Sequence, residues 1–115
     1  MAPGFVVQLN IFATATHTNA PISGYASSLV ATIRERLAKL SASGKVTGLP
    51  TTVGASVPAV LITVRNGGSL LGLDYFFITG GYLYELNFGG GASWLQKYMS
   101  AIKATAKSIQ IFTTA

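Results

Sequence analysis

The stretch PAVLITVRNGGSLLGLDYFFITGGYLYELNF, Pro58–Phe88, reads as three β-rich runs separated by two glycine-bearing turns. Gly80-Gly81 is a two-residue hairpin signal, because glycine accepts the positive φ that tight primed turns require. With that pair as the loop, Thr79 faces Tyr82, Phe77 faces Tyr84, Tyr75 faces Leu86 and Leu73 faces Phe88. Asn66-Gly67 is an equally good turn for the preceding hairpin, setting Ile62 opposite Leu71 and Val60 opposite Leu73. A Gly67-Gly68 loop moves that register by two and keeps the faces. A three-residue loop would exchange the faces of the first strand.

These registers predict two unequal faces. Val60, Ile62, Val64, Leu71, Leu73, Tyr75, Phe77, Tyr82, Tyr84, Leu86 and Phe88 form one, almost wholly apolar or aromatic, which must be core. The other carries Leu61, Thr63, Arg65, Leu70, Asp74, Phe76, Ile78, Leu83, Glu85 and Asn87. It is too greasy to leave bare and too polar for an ordinary core. Either it is a binding patch, apolar in the centre and rimmed by polar groups, or the first helix covers it. Arg65, Phe76, Ile78 and Leu83 are its candidate partner-binding residues. Trp94 joins them as a possible interface anchor, although it could equally fold over the edge of the domain.

Downstream, Gly89-Gly90-Gly91 leads to a helix whose stripe is Leu95, Tyr98, Met99, Ile102, Ala106 and Ile109, with Lys97, Lys103 and Lys107 away from it. Upstream, Phe5–Ala13 alternates as a half-buried strand, with Phe5, Val7, Leu9 and Ile11 on one side. After a polar connector, Pro21 favours a helix start. Ile22, Tyr25, Ala26, Leu29, Val30, Ile33, Leu37 and Leu40 then recur at threes and fours. Lys45–Val57, with Gly48, Pro50 and Gly54, reads as a loop with a short edge strand around Thr51–Val53.

The expected fold is therefore α+β, one domain over residues 1–115. Its antiparallel sheet has strands near 5–13, 57–65, 69–79 and 82–88, and its helices lie near 22–42 and 92–108. This order of elements, with YLYELNF leading to YMSAIKATAKSIQIF, resembles the PsbP-like superfamily of oxygen-evolving-complex extrinsic subunits and bacterial envelope lipoproteins. Tyr82 and Tyr84 match that group's tyrosine-bearing strand, and Ser108 and Phe112 its closing Ser-plus-aromatic ending. The proline-tryptophan segment that usually precedes the first strand is absent, as is the lipobox cysteine. The resemblance implies an α/β/α sandwich, a non-catalytic accessory or assembly role, and a place outside the cytoplasm.

Composition narrows the function classes. Half the residues are hydrophobic and only 10% are charged, against about 25% in an average soluble domain. Such a surface suits an extracytoplasmic protein or one partly hidden in an assembly. The absence of cysteine excludes a disulfide framework, a thiolate metal site and a cysteine nucleophile. The net charge of +5 comes from scattered residues, not the dense basic stripe with interleaved aromatics of a nucleic-acid binder. No basic-then-apolar leader precedes the first strand, so an exported protein would be in its mature or trimmed form here, with a membrane-tethered precursor as one expectation. No apolar run is long enough to span a bilayer.

Catalytic chemistry has little to stand on. His17 is the only histidine, and Glu35, Asp74 and Glu85 are the only acids. Asp74 and Glu85 become diagonal neighbours on adjacent strands, so a carboxylate dyad is conceivable. Keeping the sheet face soluble, or pairing with Arg65, is the simpler role. Gly89, Gly90, Gly91 and Ser93 precede a helix and could hold an anion on free N–H groups, or could simply make a turn and a cap. The reading is a non-enzymatic, extracytoplasmic binding or assembly domain, with a protein partner or a second copy as its ligand and no cofactor or metal. The alternative is a carrier of an apolar or anionic small molecule, with an enzyme a remote third.

Overall fold

The computed structural model describes residues 8–16, 21–39, 44–54, 56–67, 69–89 and 92–109. Five strands, β1 (Gln8–Ala15), β2 (Lys45–Val53), β3 (Val57–Asn66), β4 (Ser69–Thr79) and β5 (Tyr82–Gly89), form one antiparallel sheet in the order β1-β5-β4-β3-β2. A short 3-10 helix, Ile22–Tyr25, runs into α1 (Ala26–Lys39). The closing helix is two pieces, α2 (Ala92–Lys97) and α3 (Met99–Ser108), with Tyr98 at φ −102° and ψ 17° between them. The architecture is α+β.

The β4–β5 hairpin has the expected register, Thr79 with Tyr82 through Leu73 with Phe88. Gly80 and Gly81 both take positive φ (59° and 79°), as a primed turn requires. The β3–β4 hairpin departs from the reading. It closes with Asn66 opposite Ser69 and Arg65 opposite Leu70, but the next pair is Val64 with Gly72. Leu71 is therefore an extra residue on β4, a β-bulge, and it is exposed. Beyond it Ile62 faces Asp74 and Val60 faces Phe76, not Leu71 and Leu73. An odd shift sends every later β3 side chain to the other face.

That single residue redistributes the core. Val60, Ile62 and Val64 join Phe76 and Val46, and with Ile22, Leu29 and Ile33 they form one cluster, flanked by Tyr25, Ala26, Val30, Leu37, Ile78 and Leu83. Ala59, Leu61 and Leu70 move to the other face, where Leu73, Tyr75, Phe77, Leu86 and Phe88 pack with Leu95, Ile102 and Ala106. Each face thus carries its own apolar cluster, while Asp74, Glu85 and Asn87 remain on the α1 side. The residues of α1 group with one side of the sheet and those of α2 and α3 with the other.

The segment expected to be a loop with a short strand is instead a full nine-residue edge strand, β2, paired with β3 from Lys45–Arg65 to Val53–Val57. Pro50 lies within it, which a strand tolerates only where the missing N–H would face outward. The turn after β2 depends on Gly54, whose φ is +58° and whose N–H donates to the Ala106 carbonyl at 2.9 Å. A Cβ there would lie 2.6 Å from the carbonyl oxygen of Ile109.

Candidate functional site

The acidic residues the sequence singled out lie together beneath α1. Asp74 opposes Asn87 and Glu85 opposes Phe76, so the two carboxyls are diagonal neighbours on the α1 side. Both are buried, at 5% and 6% exposure. Glu85 pairs with Arg36, from the last turns of α1, and not with Arg65. The guanidinium forks onto both carboxylate oxygens, Nη1 to Oε2 at 2.7 Å and Nη2 to Oε1 at 3.0 Å. Nδ2 of Asn87 donates to Oδ1 of Asp74 at 2.6 Å, and Nδ2 of Asn10 reaches Oδ1 of Asn87 at 3.4 Å.

A polar line therefore crosses from β1 through β5 and β4 to α1. Burial pushes the Asp74 carboxyl up to about 7, and the neighbouring Glu85 carboxylate adds to the effect, while the Asn87 donor and the Arg36 charge oppose it. The Glu85 hydrogen bond raises the Arg36 guanidinium, with burial opposing it. Bidentate pairing consumes the oxygens of Glu85, which ties α1 to the sheet. No set of three potential metal-ligating acids or histidines gathers among the described residues.

A cleft of about 280 Å³ lies between α1 and the β4–β5 hairpin, lined by Tyr25, Ser28, Leu29, Thr32, Ile78, Leu83 and Thr16. Its floor is apolar and its rim carries hydroxyls. Neither Asp74 nor Glu85 lines it.

The candidate patch residues do not gather on one open surface. Phe76 is 2% exposed inside the α1-side core, with Ile78 and Leu83 half-buried beside it. Arg65 lies on the opposite side, because of the bulge, and its Nη1 donates to Oε1 of Gln96 in α2 at 3.3 Å. The side chains of Trp94 and Ser93 lie outside the described residues, as do Gly90 and Gly91; Gly89 is the last residue of β5.

A further surface lies at the other end of the sheet, on the strand whose alternation predicts half-burial. Among the described residues β1 is an edge strand, paired only with β5, and its Leu9, Ile11 and Phe12 are 36%, 61% and 54% exposed. Ile11 aligns with Leu86, on the α3 side, and Phe12 with Glu85, on the α1 side, so apolar groups stand on both faces of one edge. The backbone phase follows from the hairpin. A two-residue turn makes Thr79 and Tyr82 a hydrogen-bonded pair, and bonding alternates along β5 thereafter. Leu83, Glu85 and Asn87 then bond to Thr14, Phe12 and Asn10, in phase with the Thr16 N–H to Gly81 carbonyl bond at 2.9 Å. The N–H and C=O groups of Leu9, Ile11, Ala13 and Ala15 consequently point out of the sheet. The alternation of β1 is legible in the sequence; its position at the edge is not.

The fold and these surfaces define an α+β domain with an open-edged antiparallel sheet. No protein-family model, curated protein or solved structure matches the chain.

Proposed function

We propose that this is a non-catalytic binding and assembly domain that works by accepting an extended strand along the free edge of β1. The observation that carries it is the coincidence, on one strand, of outward backbone groups with exposed Leu9, Ile11 and Phe12. Main-chain bonds give such additions their affinity, and alternate side chains give specificity. The mixed sheet face is not the acting surface in this reading, since α1 packs over Phe76 and Glu85. The absence of catalysis is part of the proposal. It rests on a carboxyl pair in which Arg36 occupies both oxygens of Glu85 and neither acid borders the cleft.

An extracytoplasmic setting and a PsbP-like affinity belong to the same proposal, supported by the sparse charge of the chain and its order of elements. No helix among the described residues is long and apolar enough to cross a membrane. Amide exchange tests the edge reading: Leu9, Ile11, Ala13 and Ala15 exchange quickly in dilute protein and slow when an alternating Val-Thr hexapeptide is added. Protection of all four in the dilute monomer would refute it.

A second reading, a small-molecule carrier, is favoured by the cleft beside Tyr25 and Ile78. Its apolar floor and hydroxyl rim suit a small apolar molecule bearing one hydrogen-bonding group. Native mass spectrometry of the purified protein checks it, and a mass equal to that of the bare chain, with no adduct from an added hydrophobic alcohol, removes it.

A further inference from the structure

We infer that the strand accepted by β1 is β1 of a second copy, laid antiparallel about a two-fold axis at Phe12, so that two five-stranded sheets become one continuous sheet. The inference rests on the edge reading above and names its partner.

Three observations select a second copy. First, Gln8–Ala15 contains no charged residue and no proline, although these are the devices by which edge strands refuse pairing. The opposite edge, β2, carries both, with Lys45 and Pro50. One open and one blocked edge per molecule gives a closed two-fold pair and not a filament.

Second, the strand complements itself. About Phe12, Ile11 meets the partner's Ala13, Leu9 meets the partner's Ala15, and Asn10 meets the partner's Thr14. Each large aliphatic side chain faces an alanine, and polar faces polar. Centring on Ile11 instead would set Asn10 against the partner's Phe12, leaving an amide against a ring.

Third, the backbone phase agrees. Leu9, Ile11, Ala13 and Ala15 present outward N–H and C=O groups, so they form the hydrogen-bonded pairs with the partner. Phe12 falls at a non-hydrogen-bonded pair, where opposed side chains approach most closely and aromatic pairs gain most. The same pairing buries Ile11 and Phe12, among the most exposed large apolar groups described.

The chain has no cysteine, so one introduced thiol can form only an intermolecular disulfide. Light scattering and sedimentation of the unaltered chain are expected to show mass rising toward twice the monomer with concentration. Ile11→Lys should stay monomeric, with the unfolding midpoint of the dilute, monomeric parent. Under mild oxidation Phe12→Cys should cross-link at least tenfold faster than Asn10→Cys or Ile11→Cys. A chain that remains monomeric at millimolar concentration, or Ile11→Lys pairing as readily as the parent, overturns the inference. Fastest cross-linking through Ile11→Cys overturns the stated register. If the outward β1 amides slow with the Val-Thr peptide but never with protein concentration, the second copy is refuted while the edge reading stands. If they are protected in the dilute monomer, both fall.

Discussion

Replacing Asp74 by asparagine changes how stability depends on pH, and the structure sets both sign and size. Asp74 is a buried acid whose pKa rises from 3.8 to about 7 on folding, chiefly through desolvation and next through the nearby Glu85 carboxylate. The native state therefore holds a proton that the unfolded chain has already released. Stability from this group is fully present below about pH 4, is lost as pH rises toward 7, and is constant above that. A shift of roughly three units at about 1.4 kcal/mol each makes the loss on the order of 4 kcal/mol.

Asparagine resembles the protonated acid. Its Oδ1 still accepts from Asn87, and its amide donates toward Glu85 without carrying charge. Asp74→Asn should thus match the parent near pH 4 and exceed it by roughly 2–4 kcal/mol at pH 8. Urea unfolding followed by circular dichroism, at half-unit steps between those limits, measures the difference directly. Parallel stability curves for the two proteins, or a less stable variant at pH 8, would show that the native Asp74 carboxyl ionises near its ordinary pKa, and would overturn the expected loss of stability between pH 4 and 7.

Arg36→Met removes the fork on Glu85 and leaves a buried carboxylate unpaired; because Arg36 is half-exposed, the expected loss is about 2–3 kcal/mol by guanidinium unfolding at neutral pH. The double variant Arg36→Met/Glu85→Leu should recover most of it. Gly54→Ala combines a positive φ with a backbone carbonyl 2.6 Å from the new methyl and should cost more than about 2 kcal/mol, whereas Gly72→Ala, with its nearest neighbour at 3.8 Å, should stay within about 1 kcal/mol. Deleting Leu71 takes out the extra bulge residue and leaves Leu70, Gly72 and Leu73 on their present faces. The midpoint should fall by less than about 1.5 kcal/mol equivalent, while Leu73→Ala should cost about 3–5 kcal/mol.

Local signals were legible wherever backbone chemistry acts over a few residues. Gly80-Gly81 specified a primed turn, and the β4–β5 register followed residue by residue. The α1 stripe from Ala26 to Leu37, with Ile22 and Tyr25 of the preceding 3-10 turn, emerged as one side of a core because spacings of three and four place such side chains on one face of a helix. The bulge had a trace: adjacent Leu70 and Leu71 break the alternation, and Gly72 follows, a combination that marks irregular strands. β2 was obscured by Gly48 and Pro50, which weaken strand propensity but are admissible at an edge. The acid pair was recognised as diagonal neighbours, yet Arg36 was not found as its partner. That contact spans 49 residues and depends on which sheet face α1 covers.

The order of amino acids alone specified the type of every element except β2, the tight hairpin, the apolar stripes and the scarcity of catalytic groups. These follow from periodicity, glycine stereochemistry and composition, all carried by neighbours along the chain. Tertiary packing set the face of β3, the burial of Asp74 and Glu85 under α1, and the exposure of β1 at the sheet's edge. A one-residue bulge inverts a strand's facing at little local energetic cost, and the order of strands depends on long-range packing. The strand with the cleanest alternation became the open surface because no further strand of the described chain lies beside it.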